Sequence, residues 1–394
     1  MSSRRRHGRS PAVTPLDDDD LLCEILLRLP PQPSSLPRAS AICKRWRSLV
    51  SDPSFSRRFR LRHRRNPPLL GFFERYGGRP FFPTLEAPNR IPPVRFSLQL
   101  DGDYDGSISL GCRHGLFLVF LSRRLRVLVW DPITGDKHHI AVPAPFDTKN
   151  LVVNGAMLRD AADVQHFQVV LAAADGKDEQ HRRAFTCIYS SKTGLWGNLI
   201  STHIPNKDNV SSYCIPTMVY TYDAVLAGDS LYWVLAGIFS GILEFDLVKQ
   251  SLAVIKVPVE IWGDCKHYRM MRAEGGGLGL LVVSGSDCTA QLWKKTDCDG
   301  VSSWGLARTI ELDKLLSLDS EEKGNICLLG LAEENNVAFL WTMVGRFMIH
   351  LESLKFKKLC KTHIISSYHL FESVYTAGAC VDGGHDGAGL LLNT

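Results

Sequence analysis

The sequence predicts a mainly β chain headed by a small all-α module, and three observations predict it. Between positions 17 and 62 apolar residues recur at helical spacing. After Pro67-Pro68 that spacing gives way to short apolar runs rich in β-branched and aromatic residues, separated by turn residues. Within that second region a strand–turn–strand phrase returns at intervals of roughly 50 to 60 residues, the range of a multi-stranded repeat. The 394 residues are 45% hydrophobic and 22% charged, which excludes a wholly disordered chain and suits one small and one large domain. Mean hydropathy is -0.05. Leu231–Phe239, among the longest uncharged apolar runs, falls well short of the roughly 20 residues of a membrane span and suits a buried strand.

Residues 1–16 are polar and proline-punctuated and read as a disordered basic tail. Arg4, Arg5, Arg6 and Arg9 suit a nuclear address or, preferably, a solvated tail; with no apolar segment behind them they are not a secretory signal. Asp17–Asp20 then precede Leu21, Leu22, Ile25, Leu26 and Leu29, one face of a helix whose N-terminus favours the negative charge. Pro30-Pro31 ends it. Ser34-Ser35 open a second helix with Leu36, Ala39, Cys43, Trp46 and Val50 on its face. Asp52-Pro53 opens a third that carries Phe55 and Phe59. So 17–62 is expected to be three short helices, a unit with a small core that a partner often completes.

Charge separates this module from the rest. Residues 1–65 hold 15 Lys and Arg against six Asp and Glu, a net +9, so the remainder carries −4 of the chain's +5. Such a split suggests modules with different partners. The eleven cysteines are odd in number and show no C-x-x-C pair, the pattern of reduced thiols in the cytoplasm or nucleus. Without secretion, Asn209-Val210-Ser211 is a chance sequon.

The β region contains five copies of the phrase: Val127–Gly135, Thr186–Trp196, Ile242–Gln250, Ala290–Trp304 and Met348–Phe356. Strands are left over at both ends, Leu69–Phe73 and Phe81–Phe82 at one, Phe371–Tyr375 at the other. A β-propeller that completes one blade from both ends of the chain leaves no open sheet edge there, so about six blades are expected over 66–394.

Other signals are weaker. Gly275–Gly279 lacks a phosphate-loop pattern and reads as a turn before a strand. His138-His139 has no clustered ligands and reads as a strand end. Glu321-Glu322 and Glu333-Glu334 read as solvated loop charges. Arg57, Arg58, Arg60, Arg62, Arg64 and Arg65 form a basic band with few stacking aromatics, better suited to a solvated face or an acidic protein than to nucleic acid. No metal, cofactor or membrane partner is indicated.

Two stretches carry a resemblance. Leu21-Leu22-Cys23-Glu24-Ile25-Leu26-Leu27-Arg28-Leu29-Pro30, then Ser35-Leu36, then Ile42-Cys43-Lys44-Arg45-Trp46-Arg47-Ser48-Leu49-Val50 resemble an F-box. Pro68–Phe73, Arg113–Leu116, Val129–Pro132 and Leu243–Leu247 are similar to the C-terminal propeller-like domain of a large cereal-plant F-box group, as are Thr309–Lys314 and Leu351–Ser353. The resemblance implies a three-helix F-box followed by a β-propeller-like domain, in a non-catalytic substrate receptor of a Skp-cullin-F-box ubiquitin ligase. The F-box would bind a Skp-type adaptor, and through it a cullin; the propeller would hold a target protein. Carried over, the adaptor contacts are Leu21, Leu22, Ile25, Leu26, Leu36, Cys43, Trp46 and Leu49. One departure stands out: Asp17-Asp18 occupy the place of the family's opening Leu-Pro. The alternatives are a nucleic-acid-binding protein using the basic module, or a propeller enzyme, which would need convergent acids, histidines or a metal set.

Overall fold

The computed structural model describes residues 18–75, 80–100, 106–147, 151–159, 166–175, 182–205, 215–257, 266–298, 301–319, 321–359 and 367–376. The expected tail at 1–16, Asp17 and the sequon lie outside them. Contacts divide the chain into two units. One holds the residues up to Arg64 with the described residues from Val374 onward; the other is Arg65–Ser373. Among the described residues no helix is long and apolar enough to cross a membrane.

The first unit is helical: α1 (Asp19–Leu27), α2 (Ser35–Ser40), α3 (Lys44–Ser51) and α4 (Pro53–His63). Asp18 caps α1, its Oδ1 accepting the N–H groups of Asp20 and Leu21 at 2.8 and 3.2 Å. Asp52 caps α4 by accepting the Ser54 N–H at 2.7 Å, with Pro53 in the first turn where no N–H is needed. The expected three helices are therefore four. The second breaks because the chain turns at Ala41-Ile42 and Cys43 is extended, with φ −159° and ψ 169°. Leu36 and Ala39 from α2, and Val50 with half-buried Trp46 and Leu49 from α3, still converge on one core with Leu22, Leu26, Phe55, Phe59 and Val374. Periodicity found the inward residues but could not see that two helices supply them.

The second unit is a six-bladed β-propeller. Its described residues form six antiparallel sheets. The chain enters with β1 (Leu69–Glu74) and β2 (Phe81–Pro83). The second blade is β3 (Ser107–Arg113), β4 (Leu116–Leu121), β5 (Arg126–Trp130) and β6 (Lys137–Ala141). The third is β7 (Val153–Leu158), β8 (Gln168–Asp175) and β9 (Arg183–Ser190), with β10 (Leu195–Trp196) and β11 (Ile200–His203) both pairing β9. In the fourth, β12 (Met218–Val219) and β13 (Val225–Ala227) share one edge of β14 (Ser230–Ala236), followed by β15 (Gly241–Asp246) and β16 (Ser251–Ile255). The fifth is β17 (Lys266–Arg272), β18 (Leu278–Ser284), β19 (Thr289–Cys298) and β20 (Val301–Glu311), trailed by a short helix α5 (Leu312–Leu316). The sixth is β21 (Cys327–Ala332), β22 (Val337–Thr342), β23 (Gly345–His350) and β24 (Phe356–Leu359). Finally β25 (Tyr368–Glu372) pairs antiparallel with β1, so that the two ends of the unit make the first blade together.

The inner strands touch in succession: β25 with β3, β3 with β7, β13 with β17, β17 with β21 and β21 with β25, while β12 leans on β8. The ring is closed. An apolar layer fills each joint between blades. Leu118, Val129, Val169 and Leu171 occupy the joint of the second and third blades, and Leu281, Ala338 and Leu340 that of the fifth and sixth. At the closing joint Phe73 lies 4.9 Å from Phe117, 5.4 Å from Phe371 and 5.7 Å from Trp130, ring centre to ring centre.

The repeated phrase is the turn between the third and fourth strands of a blade, and its chemistry recurs. Asp131 Oδ1 accepts the N–H groups of Ile133 and Thr134, and Asp246 Oδ1 those of Val248 and Lys249. In four of these turns the fourth residue after the opener is left-handed, Gly135 at φ 84°, Gly194 at 71°, Gln250 at 52° and Leu354 at 55°, while residues 299–300 of the remaining copy lie outside the described residues. Glycine meets that demand freely, whereas Gln250 and Leu354 bear a side chain there.

Candidate functional site

Two groups of residues stand out, the contact residues expected in the helical unit and a polar cluster in the propeller. In the helical unit the eight expected contact residues separate by burial. Leu22, Leu26 and Leu36 are at most 1% exposed and belong to the unit's own core. Leu21 and Ile25, one turn apart on α1, are 49% and 42% exposed. Cys43 is exposed, and Trp46 and Leu49 are half-buried against the core. Ile42, absent from the expected set, is 62% exposed. An uninterrupted helix aims position 43 inward; the break turns it outward together with Ile42. That leaves branched aliphatic side chains uncovered on a small unit, Leu21 and Ile25 on α1 and Ile42 in the turn after α2.

Two exposed ion pairs link the helices. Arg45 binds Asp19 at 2.7 Å, and Arg58 binds Glu24 at 2.6 Å. Arg58 is thus engaged within the fold, while Arg57, Arg62 and Arg65 of the same basic band face solvent.

In the propeller the inner edge of the fourth blade breaks at residues 220–224, between β12 and β13, and side chains from other blades hold the break. Asn154 of β7 donates to the carbonyls of Tyr220 and Tyr222 at 2.6 and 2.8 Å. Arg75, just after β1, donates to the Thr221 carbonyl. Arg113 of β3 donates to the Ala224 carbonyl at 2.7 Å. Arg269 of β17 lies over the Tyr222 ring, 3.4 Å from its centre. The Asp223 carboxylate meets the His369 ring of β25 at 2.7 Å. Burial pushes the Asp223 carboxyl up, but His369, Arg75 and Arg269 together hold it below the usual carboxylate value.

Glu333, in the turn between β21 and β22, pairs with Arg113 and, at 3.3 Å, with Arg272, and accepts the Leu226 N–H at 3.0 Å. Both Glu333 and Glu334 are largely buried, with side chains 15% and 21% exposed, which corrects the expectation of solvated loop charges. Next to them Glu372 accepts the N–H groups of Glu334 and Asn335 and the Asn335 side-chain amide. Burial raises its carboxyl to about 7 against those hydrogen bonds. Burial, reinforced by the nearby Asp223 and Glu372 charges, likewise raises the Cys112 thiol well above its ordinary value. The cluster satisfies carbonyls and balances charge across blades; its geometry is that of a lock. Its members are far apart in sequence, Asp223 and His369 by 146 positions and Arg113 and Glu333 by 220, so no local motif announces it.

The other sequence signals sit outside this cluster. Gly275 and Gly276 are left-handed in the turn joining β17 to β18, as expected of a turn before a strand. His138 and His139 are exposed on the outer strand β6, where the His138 ring packs 5.4 Å from Phe167.

Comparison with known proteins follows the same division. The profile of the F-box domain matches residues 18–58. That of the F-box protein AT5G49610-like, beta-propeller family matches residues 109–374, more than half of the chain. No curated protein matches it. Among solved structures it is similar to the WD40 domain of SCAP from fission yeast, at 14% identity and TM-score 0.33, covering 62% of this chain and 50% of that one. It is also similar to a luciferin-regenerating enzyme, at 10% identity and TM-score 0.33, covering 78% and 95%. Likenesses this distant carry no functional argument. An F-box followed by a propeller is the general architecture of substrate receptors in SCF ligases, and an F-box indicates binding to a Skp1-type adaptor. With its helical head and its six-bladed ring both accounted for, the chain belongs to the AT5G49610-like family of F-box β-propeller proteins.

Proposed function

We propose that this chain is the substrate receptor of an SCF-type ubiquitin ligase. The helical unit docks on a Skp-type adaptor and through it on a cullin, and the propeller holds the protein to be ubiquitinated. The chain itself performs no chemistry. The observation that supports this reading most is the division of apolar residues in the helical unit. Leu22, Leu26 and Leu36 fill its core, while Leu21, Ile25, Ile42 and Cys43 remain exposed and Trp46 and Leu49 half-buried. A protein interface is built around a few such anchors set in a patch that excludes water. The chain would act in the cytoplasm or nucleus, where buried thiols such as Cys187 and Cys288 stay reduced.

Reconstitution tests it. The full chain mixed with a Skp-type adaptor and a cullin should elute as one complex, and leaving out the adaptor should release the cullin. A chain that meets neither component at micromolar concentration would refute the reading.

A further inference from the structure

Charge is spread unevenly within the helical unit. Residues 18–64 hold ten Lys and Arg against five Asp and Glu. Four of those acids cap α1 or stand on it, and the fifth, Asp52, caps α4. The helices α3 and α4 contain no acid of their own. α3 carries Lys44, Arg45 and Arg47, and α4 carries Arg57, Arg58, Arg60 and Arg62. A face that is merely solvated ordinarily mixes both signs.

The acids of α1 balance only part of this charge. Asp19 takes Arg45, and Glu24 takes Arg58. The Glu24 contact, and the 2.9 Å bond between His63 Nε2 and the Leu27 carbonyl, set α1 and α4 side by side in the same direction. One turn beyond Glu24 comes Arg28, and one turn beyond Arg58 comes Arg62, both exposed. Where an acid would balance Arg62, the chain places a second cation. The negative end of the helix dipole offsets only about half an elementary charge, against Arg60 and Arg62 in the last turn of α4. Arg60 is half-buried, and its Nε has no hydrogen-bond partner among the described residues.

We propose that α4, with Arg28 of α1, forms a cationic steering surface for an acidic protein, and that this partner is an acidic segment of the Skp-type adaptor. The proposal rests on the reading of the chain as an adaptor-bound receptor. Desolvated anchors such as Ile25 set how long a complex lasts, whereas surface charge sets how fast an oppositely charged partner arrives. The head then separates the two tasks between the aliphatic residues of α1 and the arginines of α4. Single-stranded nucleic acid is a poorer fit, because it stacks on open aromatic rings, and Phe55 and Phe59 of α4 are 3% and 1% exposed.

Stopped-flow association of the full chain with a Skp-type adaptor tests this at about 20 mM and about 500 mM salt. Wild type should associate at least about tenfold faster at the lower salt. Arg57→Glu with Arg62→Glu should slow association there about tenfold, change dissociation by less than about twofold, and match wild type at the higher salt. Arg57→Gln with Arg62→Gln should fall between them. Both side chains are exposed, and the melting temperature confirms that each variant is folded. Ile25→Ala should do the reverse, with faster dissociation and unchanged association. Wild-type association that ignores salt, or a reversal variant that arrives as fast as wild type at low salt, overturns the proposal and leaves the ligase reading intact. A chain that binds no adaptor removes both. Tighter binding to a DNA duplex than to the adaptor at about 150 mM salt also overturns the proposal and assigns the arginines to nucleic acid.

Discussion

At the scale of single residues, burial separates two neighbours on one helix. Leu26 is 1% exposed and Ile25 is 42% exposed, although they are neighbours on α1. Leu26→Ala should cost about 2–5 kcal/mol of stability through the cavity it leaves, measured by urea unfolding of the full chain. Ile25→Ala should leave stability within about 0.5 kcal/mol and act on adaptor binding instead. Glu372 gives a second residue-level prediction. Its carboxyl is raised in the folded chain to about 7 from an ordinary 4.5. Between those values the folded state binds the extra proton, so stability falls as pH rises from about 4.5 through 7, with a slope of up to about 1.4 kcal/mol per pH unit. Glu372→Gln should flatten that part of the stability–pH curve, and an unchanged slope would remove Glu372 as its source.

At the scale of elements, the recurring turn and the closing strand carry most of the design. Gln250 holds the left-handed position that Gly135 and Gly194 hold in the equivalent turns. Gln250→Gly should therefore stabilise the propeller by about 1 kcal/mol, read as a higher melting temperature. Phe371, fully buried on β25 among Phe73, Phe81 and Phe96, should cost about 3–5 kcal/mol when changed to alanine. The sequence made the middle strands of the blades legible, because β4, β5, β8, β14 and β18 are buried on both faces and read as continuous apolar runs. It hid the inner strands β3, β7 and β17, where Arg113, Asn154, Arg269 and Arg272 interrupt the apolar pattern to serve the cluster between blades. It also hid the break between α2 and α3, since both helices feed one core at spacings that imitate a single helix. The proposed contact residues were half legible for the same reason: periodicity selected apolar positions without telling inward Leu22 from outward Leu21.

At the scale of the whole molecule, the two units differ in what they offer a partner. The helical head carries net positive charge and the exposed aliphatic side chains Leu21, Ile25 and Ile42, whereas the propeller is a closed ring locked by hydrogen bonds and ion pairs between blades. Limited proteolysis should cut between residues 60 and 68 and leave a resistant β-rich fragment; cleavage spread evenly from 100 to 360 would contradict a single propeller. On the proposed function, Ile25 and Ile42 are docking anchors for the adaptor. The most direct test is the calorimetric affinity of the full chain for a Skp-type adaptor, wild type against Ile25→Ala with Ile42→Ala. Each lost anchor should cost about 2 kcal/mol, so the double variant should bind roughly a thousandfold more weakly while its melting temperature is unchanged. A double variant that binds the adaptor at wild-type strength would contradict the claim.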